Sequence, residues 1–368
     1  MVDRYLFYIY GLAATATRRR QLPPPMKQFI YPSVIESHNS ELRNVAPDLV
    51  HGVKIFDNGV GYIVGHLALS EGHSPHKGIN SAPEDLDYQL LLKTGLLLAS
   101  TVVDEPITLT VGFPYSTFQI NRDQVAELVG KTQKITYDTS PYGGRSKQTR
   151  TIEISKVDVI PEVVGCIIGR RKGGRGQKGS FFMASLGYGT FEACLSTETG
   201  IVQRTMVSTI GVRYAVDIAM KEMMQKHYLG MRTEHQFDTA FHRGTITLNR
   251  RRIDLADIRT RALQRYYEDV ISPMLRNTWT DDDFNRSSIL LLAGGGSMYP
   301  ELVKCFEDEF GGILTIDVVE DPTTLASTGY CIRSQSVAGE ATGAAVGLDI
   351  GNAQTVLTIT SENGTGWK

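Results

Sequence analysis

The sequence predicts an α/β fold of two related lobes. Three observations carry this. Apolar strand-like runs alternate with helically spaced segments, one glycine-centred hairpin occurs twice, and glycine turns close several of the strands. The 368 residues are enough for two ordinary domains with substantial cores.

Taken in chain order, Tyr5 to Ala16 is apolar and is followed by the Arg18–Arg20 cluster. A secretory signal carries its charge first, so this segment reads as a strand plus loop, with membrane-surface contact as the alternative. Asn58 to Gly65 and Ile107 to Gly112 read as strands. Ser81-Ala-Pro-Glu84 is a capping box that opens a helix through Leu98. Asn121, with Gln124 three positions on, caps the next helix, and Gly130 stops it. Val212, Ala215, Val216, Ala219 and Met223 have helical spacing, as do Leu255, Ile258, Ala262, Tyr266 and Val270. Ile289 to Ala293 is a buried-type strand, followed by Gly294-Gly-Gly-Ser297 and a helix from Pro300 to Phe310. Tyr142 to Arg150 and Arg170 to Lys178 read as basic loops, and Ser334 to Ala345 as a linker.

The repeat organises the chain. Ala184 to Gly200 and Leu348 to Gly364 match without gaps at a constant offset of 164 residues. Gly187 pairs with Gly351, Leu195 with Ile359, Glu198 with Glu362 and Gly200 with Gly364. Each copy reads as strand, glycine turn, strand and Glu-x-Gly turn. After Gly200 a third strand continues from Ile201 to Val207, but after Gly364 the sequence ends within four residues. Met26 to Val34 supplies the missing strand from the other end of the sequence, which is the signature of a circular permutation.

Composition excludes some classes. Hydrophobic residues make up 41% and charged ones 21%, as in a soluble globular protein. A formal charge of −2 creates no global field for nucleic acid or an anionic membrane. Cys166, Cys194, Cys305 and Cys331 form no CxxC pair and no zinc spacing, and scattered thiols fit a reducing cytoplasm. No apolar run reaches the ~18–20 residues of a membrane helix.

Glycine after a strand lets backbone N–H groups approach phosphate oxygens without a side-chain clash. One such turn is weak evidence, because hairpins need glycine anyway. Turns at Gly187 and Gly351, plus Gly294–Gly296 between a strand and a helix, form a far more specific set. The helix after Ser297 also offers N-terminal amides to an anion. Asp349 beside its turn is by itself an Asx-type turn residue. Glu162, after Pro161, is by itself a good first-turn helix residue.

These motifs resemble those of bacterial actin-like proteins of the ParM type, which segregate plasmids. Leu348-Asp-Ile-Gly-Asn352 looks like the first phosphate motif, Ser185-Leu-Gly-Tyr-Gly-Thr190 the second, and Leu291 to Ser297 the adenosine motif. Val111-Gly-Phe-Pro114 resembles the Gly-x-Pro segment of the first lobe. Val159-Ile-Pro-Glu162 is similar to the start of the connecting helix that carries the catalytic glutamate. The correspondence runs from about Phe29 to Lys368, leaving Met1 to Pro25 unmatched.

The resemblance implies an actin-like fold, with a mixed sheet flanked by helices in each lobe and ATP or GTP with Mg2+ in the cleft. The first lobe is then residues 1–160 and 346–368, the second 161–333, and the linker 334–345. Glu162 would orient the attacking water, and Asp349 would hold the metal through water. Gly351, Asn352, Ala353, Ser185, Gly187, Tyr188, Gly189, Thr190, Gly294, Gly295, Gly296 and Ser297 would line the nucleotide. The implied activity is slow hydrolysis coupled to polymerisation in the cytoplasm. The partners are copies of the chain itself and a DNA-binding adaptor of the ParR type, with DNA contacted indirectly and no membrane. The basic loop Arg170 to Lys178 is a solvated face, or alternatively a contact to a filament neighbour or DNA.

The chain departs from the family pattern in three ways. Its first phosphate motif comes last, Ser185 stands where an aspartate is usual, and Val356 stands where many relatives carry a phosphate-facing lysine. Glu192 sits where some relatives have aspartate. Two other readings remain open: a small-molecule kinase of the same superfamily and a non-hydrolysing actin-like adaptor.

Overall fold

The computed structural model describes residues 26–173, 176–227, 234–339 and 343–360. The readings of Tyr5 to Ala16, of Arg18–Arg20 and of the turn at 362–364 lie outside them.

The first lobe is built on a sheet of nine strands. These are β1 (Lys27–Pro32), β2 (Ile35–Ser37), β3 (Lys54–Asp57), β4 (Val60–Val64), β5 (Ile107–Phe113), β6 (Thr132–Asp138), β7 (Lys147–Pro161), β15 (Ala344–Ile350) and β16 (Gln354–Thr360). Their order is β1-β16-β15-β5-β7-β6-β3-β4-β2. The second lobe has β8 (Phe181–Leu186), β9 (Thr190–Thr197), β10 (Gly200–Ile210), β13 (Ile289–Ala293) and β14 (Thr315–Val318), in the order β10-β9-β8-β13-β14. A small ribbon pairs β11 (Thr245–Leu248) with β12 (Arg251–Asp254).

The two lobes repeat one topology. In each, a three-stranded antiparallel meander is followed by two parallel strands: β10-β9-β8 then β13-β14, and β1-β16-β15 then β5-β7. They differ in connectivity. In the second lobe the meander is continuous in sequence, whereas in the first its hairpin is residues 344–360 and its third strand is Lys27–Pro32, paired Lys27 to Ile359.

Strand periodicity explains the layering. Alternate residues of a strand face opposite sides. Phe182, Ala184 and Leu186 of β8, with Leu290 and Leu292 of β13, join the core under the helices Arg213–Lys226 and Ala256–Tyr266. Phe181, Met183, Leu291 and Ala293 face the core shared with the helices Glu162–Lys172 and Leu325–Ala338. Both faces are covered, so these parallel strands read as continuous apolar runs. In the hairpin, Leu348, Val356, Leu357 and Ile359 are all 1% exposed or less. Such burial contributes about 1.5–3 kcal/mol per side chain.

The same two helices join the lobes. Glu162–Lys172 leads from β7 to β8, and Leu325–Ala338 leads from β14 back to β15. They cross where Gly329 meets Gly165 and Gly169, with backbone so close that no Cβ fits. Gly347 leaves the corresponding space for Leu325–Ala338 on β15.

Several boundaries differ from the sequence reading. Strand β7 already begins at Lys147, inside the expected loop Tyr142 to Arg150, and the helix from Glu162 runs through Lys172, inside the expected loop Arg170 to Lys178. Ser334 to Ala338 is helix and Ala344 already starts β15, so 334–345 is not a linker. Its hydroxyl-rich composition reflects inward hydrogen bonds: Ser334 Oγ lies 2.7 Å from both Thr110 Oγ1 and the Val346 carbonyl. The helix expected from Ser81 begins at Leu86, because the Ala82 amide donates to Asp85 and holds 82–85 in a turn. Asn121 lies inside its helix, which starts at Phe118 on the turn that Pro114 makes with Thr117 and Phe118. Gly130 does end that helix, at φ +57°. Among the described residues, no helix is long and apolar enough to cross a membrane.

Candidate active site

The sites expected from the sequence meet at the carboxyl ends of β15, β8 and β13, where open α/β sheets place ligands. The two hairpin turns have the same geometry. A Cβ on Gly187 would sit 2.8 Å from the Thr190 carbonyl, and one on Gly351 would sit 2.8 Å from the Gln354 carbonyl. Only glycine closes either turn. The carbonyls of Gly187, Tyr188 and Gly189 accept the amides of Val212, Arg213 and Gly211, which tie this turn to the helix Arg213–Lys226. The Ser33 amide donates to the Ala353 carbonyl at 3.1 Å and anchors the other turn to the end of β1.

The third turn lies beside the second because β13 pairs with β8, with Ala293 opposite Ser185. Gly294 has φ +79° and, with Gly296, packs on the backbone and Cβ of Leu186. Gly295 faces open space. Ser297 is buried, and its hydroxyl donates to the Gly294 carbonyl at 2.7 Å, so its side chain serves the turn itself. The helix Pro300–Phe310 carries Glu301 in its first turn, already paired with Arg259 at 2.7 Å. That helix end therefore holds a carboxylate of its own.

Three carboxylates converge between the lobes. Asp349 is the next-to-last residue of β15, Glu162 opens its helix, and Glu192 lies on β9 opposite Ser185. Thr190 donates its hydroxyl to Glu162 at 3.1 Å. Glu192 is fully buried; one oxygen accepts the Val163 amide at 3.0 Å and the other accepts the Tyr115 amide. It thus ties the second lobe's hairpin to the helix start beside Glu162 and to the segment after β5. Burial pushes Glu162 up to about 6. Burial, with the charge of Glu162 adding, pushes Asp349 and Glu192 up to about 8.

Tyr330 closes the floor. It is fully buried, and Gly112 and Gly165 lack side chains where its ring lies. This gives the glycine of the Val111-Gly-Phe-Pro114 segment a packing reason. Thr190 and Glu162 are therefore in contact, and the side chains of Asn352 and Asn80 both lie against Gly189. Sequence reasoning named no role for Glu192, Lys77 or Asn80. Glu192 was detectable as an acidic residue inside an apolar strand, whereas the other two lie in a loop with no motif.

Comparison with known proteins bears on this arrangement. Residues 13–165 match the family described as the N-terminal domain of actin-like proteins, a match that starts earlier than Phe29. A non-polymerisable quadruple mutant of pCBH ParM superposes with TM-score 0.70 at 19% identity, over 86% of this chain and 97% of that one. An archaeal actin homologue gives TM-score 0.64 at 17% identity, over 84% and 94%. The fold is that of the actin-like proteins. A 15-stranded ParM filament from Clostridium botulinum has the same actin-like fold at TM-score 0.63 and 15% identity, over 84% and 93%. The archaeal actin homologue is also known in complex with ADP, in a structure with TM-score 0.58 and 16% identity over 82% and 90%. No curated protein matches the sequence significantly.

Proposed function

We propose that this protein is a filament-forming actin-like ATPase, which binds ATP with Mg2+ between its lobes and hydrolyses it slowly; GTP is the alternative nucleotide. The observation that carries this reading is the meeting of Glu162, Glu192 and Asp349 with the turns at Gly187 and Gly351. Glycine turns accommodate phosphate oxygens. Magnesium keeps most of its waters and needs few carboxylates, so Asp349 is sufficient to hold it through water, and the cation would offset the mutual repulsion of these acids.

Hydrolysis of this kind depends on positioning and charge stabilisation. Glu162, held by Thr190 and followed by the Val163 amide on Glu192, orients the attacking water. Ser185 supplies no second carboxylate at the phosphate turn, which keeps turnover slow. Subunits adding end to end through a non-closing interface give a helical polymer. The ParM filament relative supports that assembly mode. The sequence resemblance to ParM-type proteins, rather than any comparison, suggests plasmid or other DNA cargo attached through a ParR-type adaptor.

Pelleting and electron microscopy with ATP, GTP and no nucleotide, each with Mg2+, test the reading. Polymer is expected with a nucleoside triphosphate. A protein that stays monomeric in all three at tens of micromolar, roughly where weak association becomes visible, would sink it.

A further inference from the structure

The segment between the helices His66–Glu71 and Leu86–Ala99 reaches from the first lobe to the second. Its root is fixed. Ile35 and His76 exchange both backbone hydrogen bonds, at 2.9 and 3.0 Å, and Glu36 accepts the amides of His73 and Ser74 at 3.1 and 2.8 Å. Beyond that root Lys77 enters the second lobe. Its side chain is 2% exposed, with Nζ 2.9 Å from Asp238 and 3.6 Å from the ring centroid of Tyr188. Asp238 sits on the helix Glu234–Arg243, which is held by Phe237 and Phe241 in the second lobe's core.

Three residues on, Asn80 turns back at φ +51°. Its backbone amide donates to Asn352 Oδ1, and its side-chain carbonyl accepts from Asn352 Nδ2 at 3.1 Å. Both side-chain amides lie directly against Gly189, where any Cβ would overlap them. The tip of the segment therefore covers both hairpin turns at once.

We propose that Lys77 and Asn80 are further residues of the nucleotide site and form a cross-cleft clasp that retains the bound nucleotide; this rests on the nucleotide-binding reading above. Lys77 is desolvated on two sides, by the Asp238 carboxylate and by the Tyr188 ring face. Separating a buried pair leaves a charge without a partner, so the tip lifts as a unit, hydrating both charges, or not at all. Release of ligand from beneath Asn80 requires that lift.

Release of a fluorescent ATP analogue with Mg2+, chased with excess ATP in a stopped-flow instrument, tests the clasp. Lys77→Ala and Asp238→Ala should each speed release by about tenfold, equivalent to about 1.4 kcal/mol. The double variant should release no faster than Lys77→Ala, since that substitution already removes the ion pair together with the Tyr188 contact. Asn80→Gly keeps the left-handed backbone and should also speed release, which preserves the test if the Lys77 variant fails to fold. Native release rates in the single variants, or effects that multiply in the double variant, would overturn the clasp. A native protein that binds no analogue would overturn the nucleotide reading itself, and the clasp with it.

Discussion

Glu192 accepts the backbone amide of Val163, the residue immediately after Glu162, at 3.0 Å. A buried acid on one lobe's hairpin thus fixes the helix end that carries the proposed water-orienting glutamate. The two hairpins divide the acidic work. In one the cross-strand pair is Ser185 with Glu192, and in the other it is Asp349 with Val356. At the 164-residue offset these are equivalent positions, so each hairpin contributes one carboxylate, from opposite strands.

This division separates the effects of two substitutions. Glu162→Ala should leave nucleotide binding intact and slow phosphate release by about 100-fold, in the range lost with a positioned proton-accepting group. Filaments should last correspondingly longer. Asp349→Ala should weaken binding of the Mg2+–nucleotide complex as well. Equilibrium binding, phosphate release and pelleting lifetime report the three quantities separately. A Glu162→Ala protein that hydrolyses at the native rate would remove Glu162 from the mechanism.

The buried acids also set a pH dependence. In the folded chain Glu192 and Asp349 stay protonated up to about 8. In the unfolded chain such groups lose their protons near about 4. Between those values the folded state binds more protons, so stability is fully present below about 4 and falls as pH rises through about 8. The melting temperature of nucleotide-free protein should therefore drop between about pH 6 and about pH 8.5. Glu192→Gln cannot ionise and should flatten that drop. It should also slow hydrolysis, because its NH2 group would face one of the two backbone N–H donors. An equal slope in native and Glu192→Gln proteins would contradict the assignment.

Much of this was legible in the sequence where local chemistry and tertiary structure agree. Ile289 to Ala293 is a strand and Pro300 to Phe310 a helix at the residues expected, since an apolar run and a proline-led amphipathic segment have few alternatives. The repeat found the two glycine turns because backbone closure demands glycine at Gly187 and Gly351. Ser334 misled, because a serine bonded to a buried threonine has the composition of a linker residue. Lys77 was invisible: its partners Tyr188 and Asp238 lie 111 and 161 residues away, and no spacing rule joins them.

The connectivity of the first lobe gives the last prediction. In the second lobe Leu195 pairs with Val202, seven positions later, across the hairpin of β9 and β10. At the equivalent place in the first lobe, Ile359 pairs with Lys27. If Gly364 were joined directly to Met26, Lys27 would stand seven positions after Ile359 as well. The third strand of the first lobe thus has the register that a direct connection from Gly364 to Met26 would give. A rearranged chain that runs from Gly343 to Gly364, continues directly with Met26 and ends at Gly339 should fold. Its β15–β16–β1 meander would be continuous, and tying the ends of β16 and β1 through a short turn costs little loop entropy. We expect its melting temperature to equal or exceed that of the native chain and its nucleotide affinity to be unchanged. Deleting residues 346–368 should instead leave an unstable protein without nucleotide binding, because β15 and β16 lie between β1 and β5 and bury Leu348, Val356, Leu357 and Ile359. If the rearranged chain misfolds, or if the truncated one still binds ATP at native affinity, the equivalence of the two hairpins fails.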